Sequence, residues 1–173
     1  LLLFFAGCVA TGIFGIGRKI PMNRVNDLGQ REGYWRDSVG GGFVYDLYYK
    51  GGKKDGLYKR FYRNKLFLFG EYTADNISGT WYMFGDEGEL RCTIDSIEFN
   101  KDSIYTGYPC CRIFCKYKCH SIDYYPSGAV KSEGYMVCDE EFEIEIWEIG
   151  EWKYYDESGN LIKTKDYGDR RTP

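Results

Sequence analysis

Gly33, Gly56 and Gly79 stand 23 residues apart, twice over. With each glycine as position zero, position two holds Trp35, Tyr58 and Trp81. Position nine holds Gly42, Lys65 and Gly88, and position eleven holds Val44, Phe67 and Leu90. The register returns after insertions. Counting from Gly150 gives Trp152, Gly159 and Leu161; counting from Cys119 gives Ser121, Gly128 and Val130, a weaker copy. Position eleven is apolar in all five copies, and position two is aromatic in four. A fixed period in this range is the signature of a repeat architecture.

Each unit reads as strand, tight turn, strand. Residues 56–62, GLYKRFY, form one strand, RNK the turn, and LFLFGEY the next. The last unit, GEWKYYDESGNLIKTKDY, follows the same plan with turn residues Asp156 to Gly159. Gly-, Asn- and Asp-rich stretches at 50–56 and 73–79 punctuate the joins between units. Aromatic residues make up 18% of the chain, which favours strands, and no long helical periodicity competes. The fold class predicted is all-β: an elongated antiparallel sheet of stacked β-hairpins, each stabilised by its neighbours because a lone hairpin is marginal in water. Alternation places Tyr58, Arg60, Tyr62, Trp81 and Met83 on one face and Leu57, Phe61, Tyr82 and Phe84 on the other. Both faces carry aromatics, so the sheet is expected to be thin and amphipathic on both sides. Glycine at position zero is expected to let a neighbouring ring approach the backbone.

The segments GKKDGLYKRFY, PSGAVKSEG and GEWKYYDESGNLIK resemble MORN repeats, closest to the bacterial variant in proteins labelled YwqK-type antitoxin components. The resemblance covers residues 29–95 and 119–166. It implies an extended array of hairpins with no enzymatic activity in the repeat, serving as a scaffold or interaction surface. The antitoxin label implies neutralisation of a toxin partner. Fold analogy alone does not transfer that function. The pattern breaks at 96–118, read as an irregular insert, and in the acidic stretch before Gly150.

Outside the repeats, residues 1–17 form an uncharged apolar leader followed by Arg18 and Lys19. Ala6-Gly7-Cys8 resembles a bacterial lipobox, which makes Cys8 the expected lipid attachment site, although Phe5 stands where the pattern usually has Leu. The end of a membrane anchor and a buried segment of the domain are the other readings. Residues 18–28 read as a linker, 29–166 as the repeat domain, and 167–173 as a polar tail.

Tests for chemistry yield little. The one histidine, His120, follows Cys119 on a strand, so the two point to opposite faces. Cys115 and Cys119, four apart on a strand, are separated by roughly 13 Å, too far to share one zinc ion or to bond to each other. If Cys8 carries lipid, Cys92, Cys110, Cys111, Cys115, Cys119 and Cys138 remain for cross-strand disulfides, with free buried thiols the equal alternative. The acidic run around Phe142, Ile144 and Ile146 alternates like a half-buried strand, with Glu141, Glu143 and Glu145 too spread for calcium. No phosphate-binding glycine motif occurs, and a net charge of −3 gives no basic face for nucleic acid.

The expectation is a non-catalytic, cofactor-free and metal-free binding or scaffold protein of the bacterial cell envelope, held at the membrane through its N-terminus. Its partner would be a toxin, an envelope protein or a second copy of itself. Trp35, Tyr58, Trp81 and Trp152 are the candidate binding surface, set against the strong competing reading that the same rings simply pack the sheet and hold the array together. Two alternatives stand beside it: a cytoplasmic antitoxin or immunity protein, and a cell-wall glycan-binding module that stacks sugars on exposed rings.

Overall fold

A computed structural model of the chain describes residues 21–101, 105–106, 113–139 and 147–168. The leader with Cys8, the linker residues 18–20, Cys110, Cys111, the acidic run 141–146 and the tail from 169 lie outside the described residues. The strands are β1 (Arg24–Val25), β2 (Arg31–Val39), β3 (Phe43–Lys50), β4 (Lys53–Lys54), β5 (Gly56–Tyr62), β6 (Lys65–Thr73), β7 (Asn76–Phe84) and β8 (Leu90–Phe99). They continue with β9 (Tyr105–Thr106), β10 (Ile113–Phe114), β11 (Tyr117–Tyr124), β12 (Val130–Cys138), β13 (Trp147–Tyr155) and β14 (Leu161–Asp166). All but β9 and β10 belong to one open 12-stranded sheet in sequence order, with β4 added beside β3. The fold is therefore all-β, built of successive antiparallel hairpins. Part of the expected linker enters the sheet as β1, and the insert 96–118 contributes the end of β8, the small β9–β10 hairpin and the start of β11.

The repeat is visible in the turns. The amide of Gly88 donates to the Gly85 carbonyl, that of Gly128 to Tyr125, and that of Gly159 to Asp156, at 2.9 to 3.0 Å. Residues 85, 125 and 156 also donate to the carbonyls of Glu89, Ala129 and Asn160 at 2.9 to 3.0 Å. Position nine takes φ of 85°, 87° and 84° in these three turns, a left-handed conformation that glycine adopts without strain. The β5–β6 turn solves the problem differently, with Arg63 and Asn64 at φ 47° and 65° in a two-residue hairpin.

Position zero opens a wide bulge. Glu71 pairs with Ser78 and Phe69 with Tyr82, so Gly70 alone faces residues 79–81. Tyr135 pairs with Ile149 and Glu133 with Lys153, so Gly134 faces 150–152. In the same place Leu47 faces 56–58, between the Asp46–Lys59 pair and the bond from the Asp55 amide to the Tyr48 carbonyl. The three extra-long segments push the position-two ring onto the strand before it. Where that strand offers glycine, the ring is tryptophan: a Cβ on Gly134 would lie 2.5 Å from the Trp152 indole, and one on Gly70 would come closer still to Trp81. Where it offers Leu47, the ring is the smaller Tyr58. The closest approaches fall at Gly70 and Gly134, and at position zero Gly56 lets the Tyr48 side chain come within 3.2 to 3.6 Å of where a Cβ would stand. Gly33 and Gly150 have open space where a Cβ would stand, and their φ of 74° and 62° gives their role as conformational.

These contacts line up across one face of the sheet. Trp35 pairs with Leu47, Tyr58 with Gly70, Trp81 with Ile94, Ile94 with Ser121, Ser121 with Gly134, and Trp152 with Lys165. Trp81 and Ile94 are fully buried and Tyr58 and Trp152 nearly so. The Trp81 ring lies 5.3 Å from Tyr72, edge-on, and 5.4 Å from Tyr58. Both indoles keep their N–H bonded, Trp81 to the Ser78 carbonyl at 3.1 Å and Trp152 to the Tyr135 carbonyl at 2.8 Å. This face holds the main core, while a second buried cluster of Cys115, Val137 and Ile149 forms where β12 turns Val137 to the opposite face. The large rings of successive bulges lean over one another and shield the row, whereas Leu57 on the opposite face is 55% exposed.

Arg60, also on the core face, is buried against the rings of Phe43, Tyr45 and Phe67 at 4.5 to 5.5 Å. A guanidinium tolerates this setting because its flat faces stack on aromatics.

Gly70→Ala should cost about 3 kcal/mol in urea unfolding, by overpacking against Trp81. Gly88→Ala, strained only in φ, should cost about 1 kcal/mol. Adding Trp81→Phe to Gly70→Ala should give a double variant more stable than the two separate losses imply.

Candidate functional site

The row of rings has one gap. In the unit that begins at Cys119, position two is Ser121, and its neighbour across β12 is Gly134. One step along the strands, Cys92 pairs with Asp123 and Asp123 with Ser132, again short side chains. Strands β8, β11 and β12 thus form a low strip on the core face. Phe67 and Met83 wall it on one side, Trp152 and Tyr154 on the other. The result is a half-open cleft of about 580 Å³, within the roughly 300–1,000 Å³ of ligand pockets. It runs into a second depression of about 400 Å³, sharing Arg91, Asp123 and Lys131 and bounded by Tyr125 and Pro126 of the β11–β12 turn.

The floor is polar and its groups are tied to one another. The Ser132 hydroxyl donates to Asp123 Oδ2 at 2.8 Å, and Cys92 Sγ lies 3.3 Å from Ser121 Oγ. Burial pushes the Cys92 thiol up from its ordinary 9.0 to about 12; the Ser121 bond works against this and Asp123 adds to it. The thiol is therefore protonated and a poor nucleophile. Above the wall, Tyr154 and Tyr167 share a hydroxyl contact of 2.7 Å. Burial first, then that bond, holds the Tyr154 phenol well above the usual range. Apolar walls thus enclose a carboxylate, two hydroxyls and a thiol, and the rim carries both signs of charge in Asp86, Arg91, Lys131 and Glu148. Such a surface can hold an amphipathic ligand by burial and hydrogen bonds.

The predicted site residues fall elsewhere. Tyr58, Trp81 and Trp152 are 4%, 0% and 4% exposed, so Tyr58 and Trp81 present almost no ring surface, whereas Trp152 forms part of the cleft wall. Trp35 is half-buried beneath the Arg31 guanidinium at 4.5 Å, with its N–H bonded to the Arg24 carbonyl at 3.1 Å. Trp152 alone borders the cleft. Cys8 lies outside the described residues. Of the cleft residues, Asp123 and Ser132 went unread in the sequence, Cys92 was read only as a disulfide candidate and Ser121 only as position two of the weak copy. Their signal was the weak copy itself, because a serine at position two marks the place where the ring is missing.

His120 and Cys119 do point to opposite faces. His120 Nδ1 lies 3.4 Å from Asp95 Oδ1, with the Tyr135 ring 5.3 Å away, whereas Cys119 is fully buried in the core. Among the described residues no three His, Cys, Asp or Glu side chains are grouped to hold a metal ion, and no helix is long and apolar enough to cross a membrane. No protein-family model, curated protein or solved structure matches this chain.

The raised Cys92 pKa means that the folded state holds this proton more tightly than the unfolded chain. Its contribution to stability is whole below pH 9 and disappears as pH rises through about 12. Urea midpoints should fall over this window, less steeply in Cys92→Ala. At pH 8 a coloured aromatic disulfide should label Cys92 only after unfolding.

Proposed function

We propose that this chain is a non-catalytic binding protein of the MORN-like hairpin-repeat kind, and that an extended segment of a partner protein lies in the cleft over β8, β11 and β12. One observation carries the reading: the only unit that lacks its position-two ring is the one that opens the cleft. Apolar walls, a hydrogen-bonding floor and continuity with the second depression suit a chain segment crossing several strands better than a compact metabolite. Mixed rim charges suit a polypeptide. The resemblance of the repeats and the lipobox-like Ala6-Gly7-Cys8 support a place at the cell envelope, with Cys8 carrying the lipid. Glycan stacking finds less support, since the rings it would use are packed into the core.

The test places a photo-crosslinking amino acid at Lys131, on the cleft rim, or at Leu57, on the opposite face, in cells that make the full-length protein. A discrete partner adduct should form from position 131 and not from 57, and Ser121→Trp should abolish it without loss of folding. Adducts from both positions, or persistence in Ser121→Trp, would refute the cleft as the docking site. In the same cells fatty-acid labelling should appear in wild type and vanish in Cys8→Ala. An unlabelled, cytosolic wild type would favour the antitoxin reading instead.

A further inference from the structure

The unit that lacks its ring also lacks its glycine. Position zero is Gly33, Gly56, Gly79 and Gly150 elsewhere, always with positive φ, and Cys119 here. Because a cysteine resists that conformation, the bulge changes strands. Lys118 pairs with Glu98 and His120 with Asp95, so the extra residues sit on β8, where Ser96 takes φ 50°. Cys119 thereby turns onto the core face and is fully buried. On β12, Cys138 is fully buried on the same face, one pairing step along, opposite Tyr117. The two sulfurs are 3.4 Å apart.

The geometry points to Cys119 and Cys138 as a disulfide pair that staples β11 to β12 beside the cleft. Bond formation brings the sulfurs from 3.4 Å to about 2.05 Å, a movement that side-chain rotation and small strand adjustments can provide. Cys92 and Cys115 are not partners in this bond. Cys92 sits against Ser121, and Cys115 belongs to a separate cluster with Val137 and Ile149. The oxidant is a small-molecule disulfide such as oxidised glutathione. One protein thiolate attacks it, forming a mixed disulfide and releasing one small thiol. The second protein thiolate then attacks the mixed disulfide, closing the Cys119–Cys138 bond and releasing the other small thiol. Two electrons pass from the protein sulfurs to the small disulfide, and the two protein thiol protons end on the two small thiols. Full burial shields both sulfurs in the finished sheet, so exchange takes place as the strands come together. The bond ties 19 residues of separation into one loop, which restricts the unfolded chain.

The full chain is unfolded, reduced and refolded in a buffer of oxidised and reduced glutathione, then alkylated and mapped by mass spectrometry. The expected result is a linked peptide pair joining Cys119 to Cys138, two hydrogens lighter than the two reduced peptides together, with Cys92 and Cys115 alkylated. Reducing that bond should lower the melting temperature by roughly 5–10 °C. Alkylation of both Cys119 and Cys138, or a bond from either to another cysteine, would overturn the assignment. The map is read on the wild-type chain and so does not depend on a variant that folds.

Discussion

A tryptophan ring can lie directly against a neighbouring strand only where that strand carries no side chain. Gly70 and Gly134 provide such places, and Trp81 and Trp152 occupy them. Each contact needs three parts at once: a position-zero glycine to open the bulge, a ring two residues later, and a glycine on the strand before. Loss of the ring from a site this buried costs about 3–5 kcal/mol, comparable to a large share of the stability of a whole domain. This open sheet has one main hydrophobic face to hide. These rings hide it by leaning across strands, so the array holds together unit by unit.

The same constraint explains where the sheet departs from regularity. The Cys119 unit has neither the glycine nor the ring. Its bulge moves to Ser96, its thiol turns inward toward Cys138, and Ser121 leaves space above β11. Cleft and thiol pair are thus two consequences of one altered unit, flanked by intact ones that supply the walls.

Much of this was legible in the sequence. The period located the turn inside each unit, because position nine must tolerate a left-handed backbone or sit beside residues that do. It also placed the position-two rings correctly on strands. It did not say which way those rings face the solvent, since alternation fixes the side of a sheet but not which side is the core. Gly70 and Gly134 were hidden for a different reason. They share no repeat position, and their partners Trp81 and Trp152 are reached through strand pairing rather than through sequence spacing. Cys119 and Cys138 likewise meet only across the β11–β12 register. The cleft was written as an absence, a serine in place of a ring, which gains meaning only once neighbouring strands are known.

The central claim is that ring size and the residue beneath it are chosen together. It is tested most directly by moving the Leu47–Tyr58 pairing into the last unit. Unfolding free energies are measured for Gly134→Leu, Trp152→Tyr and the double variant. The account predicts that Gly134→Leu alone is severely destabilised and that the double variant regains most of that loss, as the leucine and the smaller ring fit one another. A double variant as unstable as the sum of the two single changes would contradict it.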